Sequence, residues 1–546
     1  MNFLYLYDII NYTYEKQFKK GEIMKRFNVT GNCIPEEDYM VDISGKIEQI
    51  KKLVDGRYYF TINRARQYGK TTTLYALKRN LTDKYLVAHI SFQGTSEHNF
   101  ASEENFCKFI PCQISKALKM TQADKEYAEK WVNPSIVSLD LLNVHITDMC
   151  EDKKVVLMID EVDNATNNRI FVRFLNMLRE KYIARRNGDD YTFHSVILAG
   201  VYDIKNIKLK MITEGSYIPT EGETKIYNSP WNIAVNFTID MSFNPVEIST
   251  MLNEYEADHK TGMNIAEISE EIYGYTSGYP FLVSRICQCV DEELSKDWTA
   301  NGVNEAVHIL LEEDNTLFRD IFKNIHNYKE LRDFLYDLLF VGKPFSFNID
   351  DPVINLGYMF GFFKNVNRKT WISNKIFEMR IYNYFVLQSE KDSSNNINIT
   401  GITKYEVLQG GGFDMELCLR RFAQHYGELF SSRDIEFLER HGRLLFLSYL
   451  KPLINGEGFY HVESEINDFR MDIVVDYKCE QFIVELKIWR GERYEEMAYK
   501  QLAGYLETKK ADKGYLLTFD FRKESNKNRK AEWIEIGGKK IFDVII

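Results

Sequence analysis

Tyr58–Asn63 is a short β-rich run, and Arg64-Ala65-Arg66-Gln67-Tyr68-Gly69-Lys70-Thr71-Thr72 follows it, leading into an amphipathic stretch that ends at Leu81. Strand, loop, Gly-Lys-Thr and helix in that order form a cradle for phosphate oxygens. Gly69 lets the backbone approach an anion closely. Lys70 neutralises the β and γ oxygens, Thr71 offers a hydroxyl to Mg²⁺, and the helix N-terminus adds its positive dipole. Arg66 and Thr72 flank these three and complete the expected nucleotide-binding set. Arg64 stands where the general G-x-x-x-x-G-K-T template has its first glycine.

A second element lies further along. Val155-Val156-Leu157-Met158-Ile159-Asp160-Glu161 is an apolar run that ends in two acids. A buried parallel strand delivers its C-terminal residues to the crevice where ligands bind. Asp160 is expected to hold Mg²⁺ through water, and Glu161 to orient or deprotonate the attacking water. Around these motifs the β-rich runs Tyr58–Asn63, Tyr85–Phe92, Lys154–Asp160, His194–Val201 and Ala234–Asp240 alternate with helical periods. That alternation predicts an α/β fold with a mostly parallel sheet over residues 25–244. A helical lid is expected over 245–315. There, Thr276-Ser277-Gly278-Tyr279-Pro280 opens a helix carrying Arg285, which can be aimed at a γ-phosphate. His194–Val201 is the strand expected to carry a sensor residue, but Gly200, Tyr202 and Asp203 stand at its end and no Asn does.

Residues 316–388 read as helices followed by a short hairpin, Phe363–Asn367 and Lys369–Ile372, which predicts a winged helix. Polar residues and the glycine run Gly410-Gly411-Gly412 make 389–412 a linker. A last domain, 413–546, begins with two helices. Within it, Arg470-Met471-Asp472 opens one strand, and Gln481-Phe482-Ile483-Val484-Glu485-Leu486-Lys487 forms the next. Side chains alternate along a strand, so Glu485 and Lys487 share a face, and a neighbouring strand can bring Asp472 beside them. Two carboxylates and the Leu486 carbonyl then suit Mg²⁺ or Mn²⁺, with Lys487 placed to orient or help deprotonate a water. Gln501 and Tyr505 are spaced to share one helix face. The run 521–530 carries five basic residues against one acid and reads first as a solvated loop, second as a phosphate contact.

The whole chain has 546 residues, 45% hydrophobic and 27% charged, which excludes a disordered or collagenous protein. Sixty-nine Lys and Arg against 80 Asp and Glu leave a net charge of −11, so nucleic acid must be met by a local patch. The eight cysteines lack zinc-finger spacing and read as reduced thiols of a cytoplasmic protein. No apolar run reaches the roughly 20 residues of a membrane span, so no membrane partner is expected. Residues 1–24 are expected to be an N-terminal extension, because Met24 is a second possible start.

Asp38-Tyr39-Met40-Val41-Asp42 together with the Arg64–Thr71 loop resembles the AAA-ATPase-like (P-loop) family of bacterial proteins. Its members carry a Val-Asp-Lys-Thr stretch and an Arg-Pro-Arg-Arg-Phe-Gly-Lys-Ser loop, so an Arg at position 64 is what the resemblance implies. Ala65 replaces the family's Pro, and Thr71 its Ser. Ser229-Pro230-Trp231-Asn232-Ile233 and Gly278-Tyr279-Pro280 are similar to signal-transduction P-loop ATPases, which often carry a winged helix after the lid. Together these likenesses cover about residues 38–385. Asp472, then Glu485-Leu486-Lys487, then Gln501 and Tyr505 is similar to the PD-(D/E)XK nuclease superfamily, its RecB-like branch in particular, over about 413–525. That resemblance implies a catalytic set of Asp472, Glu485 and Lys487, with Gln501 and Tyr505 holding the site or substrate. Some members add a helix glutamate; Glu439 is the candidate and Glu436 its competitor.

The expectation is therefore a cytoplasmic ATP-binding hydrolase joined to a Mg²⁺- or Mn²⁺-dependent nuclease acting on nucleic acid, with DNA ahead of RNA. The alternative is an ATP-gated scaffold or sensor whose nuclease-like domain is inert and binds DNA or a protein partner. A protein partner or self-association stays open.

Overall fold

The computed structural model describes residues 24–121, 125–165, 168–201, 231–341, 345–392, 406–408, 412–429, 439–454, 458–464, 471–478, 480–489, 491–520, 522 and 530–546. Residues 1–23 of the expected N-terminal extension, Tyr202 and Asp203, most of the expected linker, Glu436, and the basic run apart from Arg522 and Lys530 lie outside these residues. The chain divides into two compact units. One reaches to Leu310 and takes in Gly357–Phe362; the other holds Leu311–Leu356 and Phe363–Ile546.

The first unit is built on α1 (Ser44–Asp55), β1 (Tyr59–Asn63), α2 (Lys70–Leu81), β2 (Leu86–Ser91), α3 (Glu103–Lys119), α4 (Lys125–Lys130), α5 (Leu139–Cys150), β3 (Val155–Asp160), α6 (Arg169–Asn187) and β4 (Ser195–Gly200). The four strands are parallel in the order β1-β4-β3-β2. Every residue of β3 and β4 is buried, as a sheet covered on both faces requires. Alternation splits their side chains between two cores. Leu157, Ile159, Val196 and Leu198 meet α3, α5 and α6, while Val156, Met158, Ile197 and Ala199 meet α1 and α2.

Helix starts follow local capping chemistry. Ser102 and Ser138 accept from Asn105 N–H and Leu141 N–H at the heads of α3 and α5. Ala234–Asp240, expected as a further strand, instead makes a single bridge from Val235 to Phe60. From Val235 its side chains alternate between half-buried and exposed, and part of its attachment comes from Arg64, whose guanidinium donates to the Ile239 carbonyl at 2.7 Å. The lid helices are α7 (Pro245–His259), α8 (Ile265–Thr276), α9 (Pro280–Glu292) and α10 (Ala300–Glu312). Asn244 and Glu247 close a reciprocal capping box on α7, with Pro245 in its first turn.

The second unit contains α11 (Thr316–Asn327), α12 (Lys329–Tyr336), most of α13 (Pro352–Met359), and the hairpin β5 (Phe363–Val366) and β6 (Lys369–Ile372). After these come α14 (Lys375–Asp392), α15 (Met415–Leu429) and α16 (Glu439–Ile454). Asn367 and Arg368 take positive φ at the hairpin tip. A six-stranded sheet follows from β7 (Gly458–Ser464), β8 (Met471–Tyr477), β9 (Glu480–Ile488), β10 (Lys513–Phe519), β11 (Lys530–Ile536) and β12 (Lys539–Ile545), in the order β11-β12-β10-β9-β8-β7. Helix α17 (Glu492–Thr508) carries the chain from β9 to its parallel neighbour β10, the crossover that parallel pairing demands. It buries Ala498, Leu502, Tyr505 and Leu506 on Val474, Ile483, Leu516 and Ile541.

Candidate functional site

Two sites emerge, one in each unit. The first forms where β1, β3 and β4 end. The loop after β1 turns through Gln67 at φ 56° and Gly69 at φ 73° before α2 begins. Gly69 suits that conformation because a Cβ would add left-handed strain. Lys70 is only 7% exposed, and its ammonium donates to the carbonyls of Arg64 and Ala65, each at 2.9 Å. Burial pushes its pKa down, while Asp163, Glu161 and Asp160 act in the opposite sense. Thr71 Oγ1 donates to Asp160 Oδ2 at 2.7 Å, and the Glu161 N–H donates to Asp160 Oδ1 at 2.9 Å. Glu161 itself has φ 54°, and burial raises its carboxyl above the usual range against the pull of Lys70. The two expected motifs, 89 residues apart, are thus joined by a direct bond.

Arg64 takes a structural part. Its guanidinium donates to the Asn63 and Ile239 carbonyls at 2.8 and 2.7 Å and lies over the Phe237 ring at 5.4 Å. Arg66 is exposed, and its carbonyl accepts the Tyr279 hydroxyl. The Thr72 hydroxyl accepts from Cys33 N–H at 3.2 Å. Arg285 donates to Gln288 at 3.1 Å and pairs with Glu293 at 2.7 Å, partners that lie along its own helix and just past its end. Sequence reasoning passed over Asp163, Tyr279 and His89 as site residues. Asp163 Oδ2 takes the Val201 N–H at 2.6 Å and so anchors the end of β4. The Tyr279 ring meets Tyr68 of the loop at 4.7 Å. His89, on β2, is pushed down to about 4 by burial, which leaves a neutral imidazole near Asp160.

The second site lies on one face of the six-stranded sheet. The β8–β9 ladder pairs Ile473 with Val484, and Asp472 and Glu485 are the residues that adjoin that pair on the two strands. Glu485 is 1% exposed and forms an ion pair with Lys487. A buried charge of this kind requires such a partner. Register places Leu516 beside Glu485 and Thr518 beside Lys487. Because Val474, Ile483 and Leu516 pack under α17, the Glu485 and Lys487 positions fall on the helix-covered face. Gln501 and Tyr505 are on that helix; Gln501 is half-buried and Tyr505 is 8% exposed within the same core. Glu439 is the first residue of α16. Glu463, which sequence reasoning missed, is paired with Asp472 across the β7–β8 ladder.

A family model described as an AAA-like domain matches residues 44–300, and one described as the PD-(D/E)XK nuclease superfamily matches residues 458–530. The chain joins an AAA-like domain to a PD-(D/E)XK superfamily domain. Over 281 residues it is 24% identical to an uncharacterized WD repeat-containing protein of Synechocystis sp., an alignment covering 49% of this chain and 21% of that protein. The chain therefore spans about a fifth of that relative's length. Similar solved structures include the Walker-type ATPase PABY2304 of Pyrococcus abyssi, at 12% identity and a TM-score of 0.46, covering 65% of this chain and 99% of that one. The Aeropyrum pernix ORC2 protein is similar at 12% identity and a TM-score of 0.35, over 66% of this chain and 98% of the other. The AAA-like match takes in both motifs of the first site and Arg285, and the PD-(D/E)XK match takes in Asp472, Glu485, Lys487, Gln501 and Tyr505. Among the described residues no helix is long and apolar enough to cross a membrane.

Proposed function

We propose that the AAA-like domain binds and hydrolyses ATP and that the PD-(D/E)XK domain cuts nucleic-acid phosphodiesters, DNA ahead of RNA, in a cytoplasmic protein. The bond between Thr71 and Asp160 carries the first half, because it sets two hard oxygens beside the Lys70 loop. That donor set fits Mg²⁺, and the residues that would hold it are Thr71 and Asp160. The loop N–H groups and Lys70 bind the phosphates, with Arg66, Gly69 and Thr72 around them. Glu161 receives a proton from, or orients, the attacking water. Arg285 is the lid cation, and reaching a γ-phosphate from its bonds to Gln288 and Glu293 requires a rotamer change.

In the second half, the Glu485–Lys487 pair, which follows the Val484 that pairs with Asp472's neighbour Ile473, carries the reading. Asp472 and Glu485 are the residues that would hold Mg²⁺ or Mn²⁺, and hard carboxylate oxygens fit either ion. Such an ion, when bound, offsets charge on the scissile phosphate. Lys487 orients or deprotonates the attacking water, while Gln501, Tyr505 and Glu439 hold the site. The helices and hairpin of 316–388 are read as a winged helix, a nucleic-acid or partner contact.

The test runs both activities in parallel. Phosphate release from ATP is expected in wild type and not in Lys70→Ala. Plasmid and single-stranded RNA are incubated with Mn²⁺, with and without ATP, and Asp472→Ala is expected to abolish cutting. Full ATPase activity in Lys70→Ala removes the first assignment, and unchanged cutting in Asp472→Ala removes the second. ATP turnover and nucleic-acid binding without any cutting would favour the scaffold or sensor reading, which the net charge of −11 also supports.

A further inference from the structure

The β9–β10 ladder continues past the end of β9, where the Trp489 N–H donates to the Phe519 carbonyl at 2.9 Å. Alternation along that ladder sets Glu485, Lys487 and Trp489 on one face, and Thr518 and Asp520 beside them. Trp489 therefore stands roughly 6.6 Å beyond Lys487, two residues of strand rise. That is about one nucleotide of backbone away.

Four groups converge there. Asp520 is 1% exposed at its side chain and accepts the Arg522 guanidinium, with Nε to both oxygens at 3.0 Å and Nη2 to Oδ2 at 2.6 Å. The Arg522 N–H adds a further bond to Oδ1 at 3.0 Å. The guanidinium lies 3.4 Å over the Trp489 ring. Such stacking fixes its plane as well as its position. Glu495 stands near Trp489. Burial pushes Glu495 up, but its bonds from Lys530 and Tyr499 prevail and hold the carboxyl below its usual range. Behind it, Tyr499 and Lys530 reach the fully buried Asp543 at 2.5 and 2.7 Å. The Arg522 side chain is 32% exposed, and its Nη1 edge has no hydrogen-bond partner among the described residues. One edge of the fork is clamped to a buried acid, one face is stacked, and the other edge is open.

We propose that Arg522, clamped by Asp520 and stacked on Trp489, contacts the backbone phosphate next to the one held at Glu485 and Lys487. The inference rests on the nuclease reading of that face and adds a strand-positioning residue to it. The ligand is a phosphodiester backbone, for which a preorganised guanidinium edge is suited. Asp520 and Trp489 are positioning residues acting through Arg522.

The experiment measures binding separately from cutting. Fluorescence anisotropy is read for labelled single-stranded DNA and RNA of one sequence, on the full chain carrying Asp472→Ala. Adding Arg522→Ala or Arg522→Gln is expected to weaken binding about tenfold. The slope of log affinity against log salt should shrink by roughly 0.7, the loss of one phosphate contact to a single strand. Asp520→Asn, which keeps the Arg522 cation but replaces its clamping carboxylate by a neutral amide, should lose less. The arm that shows the larger effect identifies DNA or RNA as the source. Parental affinity and salt slope in Arg522→Gln, with an unchanged melting temperature, overturn the proposal. If wild type never cuts with Mn²⁺ while the Arg522 variants lose affinity, the nuclease reading fails and the contact stands.

Discussion

The two sites gather similar residue types, acids and a lysine, but hold them in different ways. In the AAA-like domain the backbone does much of the work. Lys70 is gripped by two loop carbonyls, α2 presents its N-terminus, and three residues, Gln67, Gly69 and Glu161, take positive φ. From β7 to β10 the PD-(D/E)XK domain is made of strands and one crossover helix, and the site is a matter of register: Asp472 and Glu485 each adjoin the Ile473–Val484 pair, with Lys487 two residues on. A loop-built site is sensitive to backbone conformation, whereas a sheet-built site tolerates local change until the ladder slips, when every side chain changes face.

The sharpest way to break the comparison is to remove the lysine of the first site and an acid of the second. Lys70→Ala should lower ATP turnover by about 10²- to 10³-fold, read as phosphate release, because a preorganised cation facing transition-state charge is lost. Asp472→Ala should lower metal-dependent cutting by at least about 10²-fold, read on end-labelled oligonucleotide. If either activity responds to the other domain's variant as strongly as to its own, the sites are not separate chemical centres.

Backbone sensitivity is tested at Gly278, just before the lid helix α9. It has φ 72°, and a Cβ there would lie 1.8 Å from the Phe243 carbonyl oxygen. The Phe243 N–H also donates to the Gly278 carbonyl at 2.8 Å, so neither strand of chain can retreat alone. Gly278→Ala should destabilise the first unit by about 3 kcal/mol or more, measured by chemical denaturation. A loss below about 1 kcal/mol would mean that the lid entry relaxes freely.

Much of this was legible in the sequence for physical reasons. Strands covered on both faces read as continuous apolar runs, so Val155–Asp160 and Ser195–Gly200 announced themselves. Glu485 and Lys487 were legible because charges inside an apolar strand need a reason. The Ala234–Asp240 error has an equally plain origin. Its alternating pattern is that of a strand, but sheet pairing depends on what the neighbour offers, and the Arg64 side chain takes up one of its carbonyls. Tyr279, Asp163 and Glu463 were missed as site residues because each becomes relevant only through long-range placement. In the Asp520–Arg522–Trp489 cluster, Arg522 was hidden inside a basic run whose composition alone suggests a solvated loop.

Arg64 gives a smaller effect. Arg64→Gly restores the general phosphate-loop residue while deleting two charged hydrogen bonds and the Phe237 contact. A loss of about 1–2 kcal/mol in stability is expected, with the KM for ATP rising several-fold and kcat little changed. A fall in kcat at constant KM would instead place Arg64 at the reacting phosphates.

The smallest expected effect on stability is the most specific to the first site. Burial lifts the Glu161 carboxyl, and Lys70 only partly counters it. An acid whose pKa is higher in the fold than in the unfolded chain is disfavoured when ionised. That penalty is fully present above the folded-state value and fades as pH falls through it toward the unfolded value. Glu161→Gln removes the charge at nearly constant volume, so it should raise the melting temperature by a few degrees at about pH 8 and leave it unchanged at about pH 4. The same variant should slow ATP turnover by about 10²-fold or more, because the amide cannot accept the water's proton. Stabilisation joined to lost turnover would mark Glu161 as a group that the fold holds in an unfavourable state for its chemistry. Stabilisation that persists at low pH would show that packing, not charge, is what the substitution relieves.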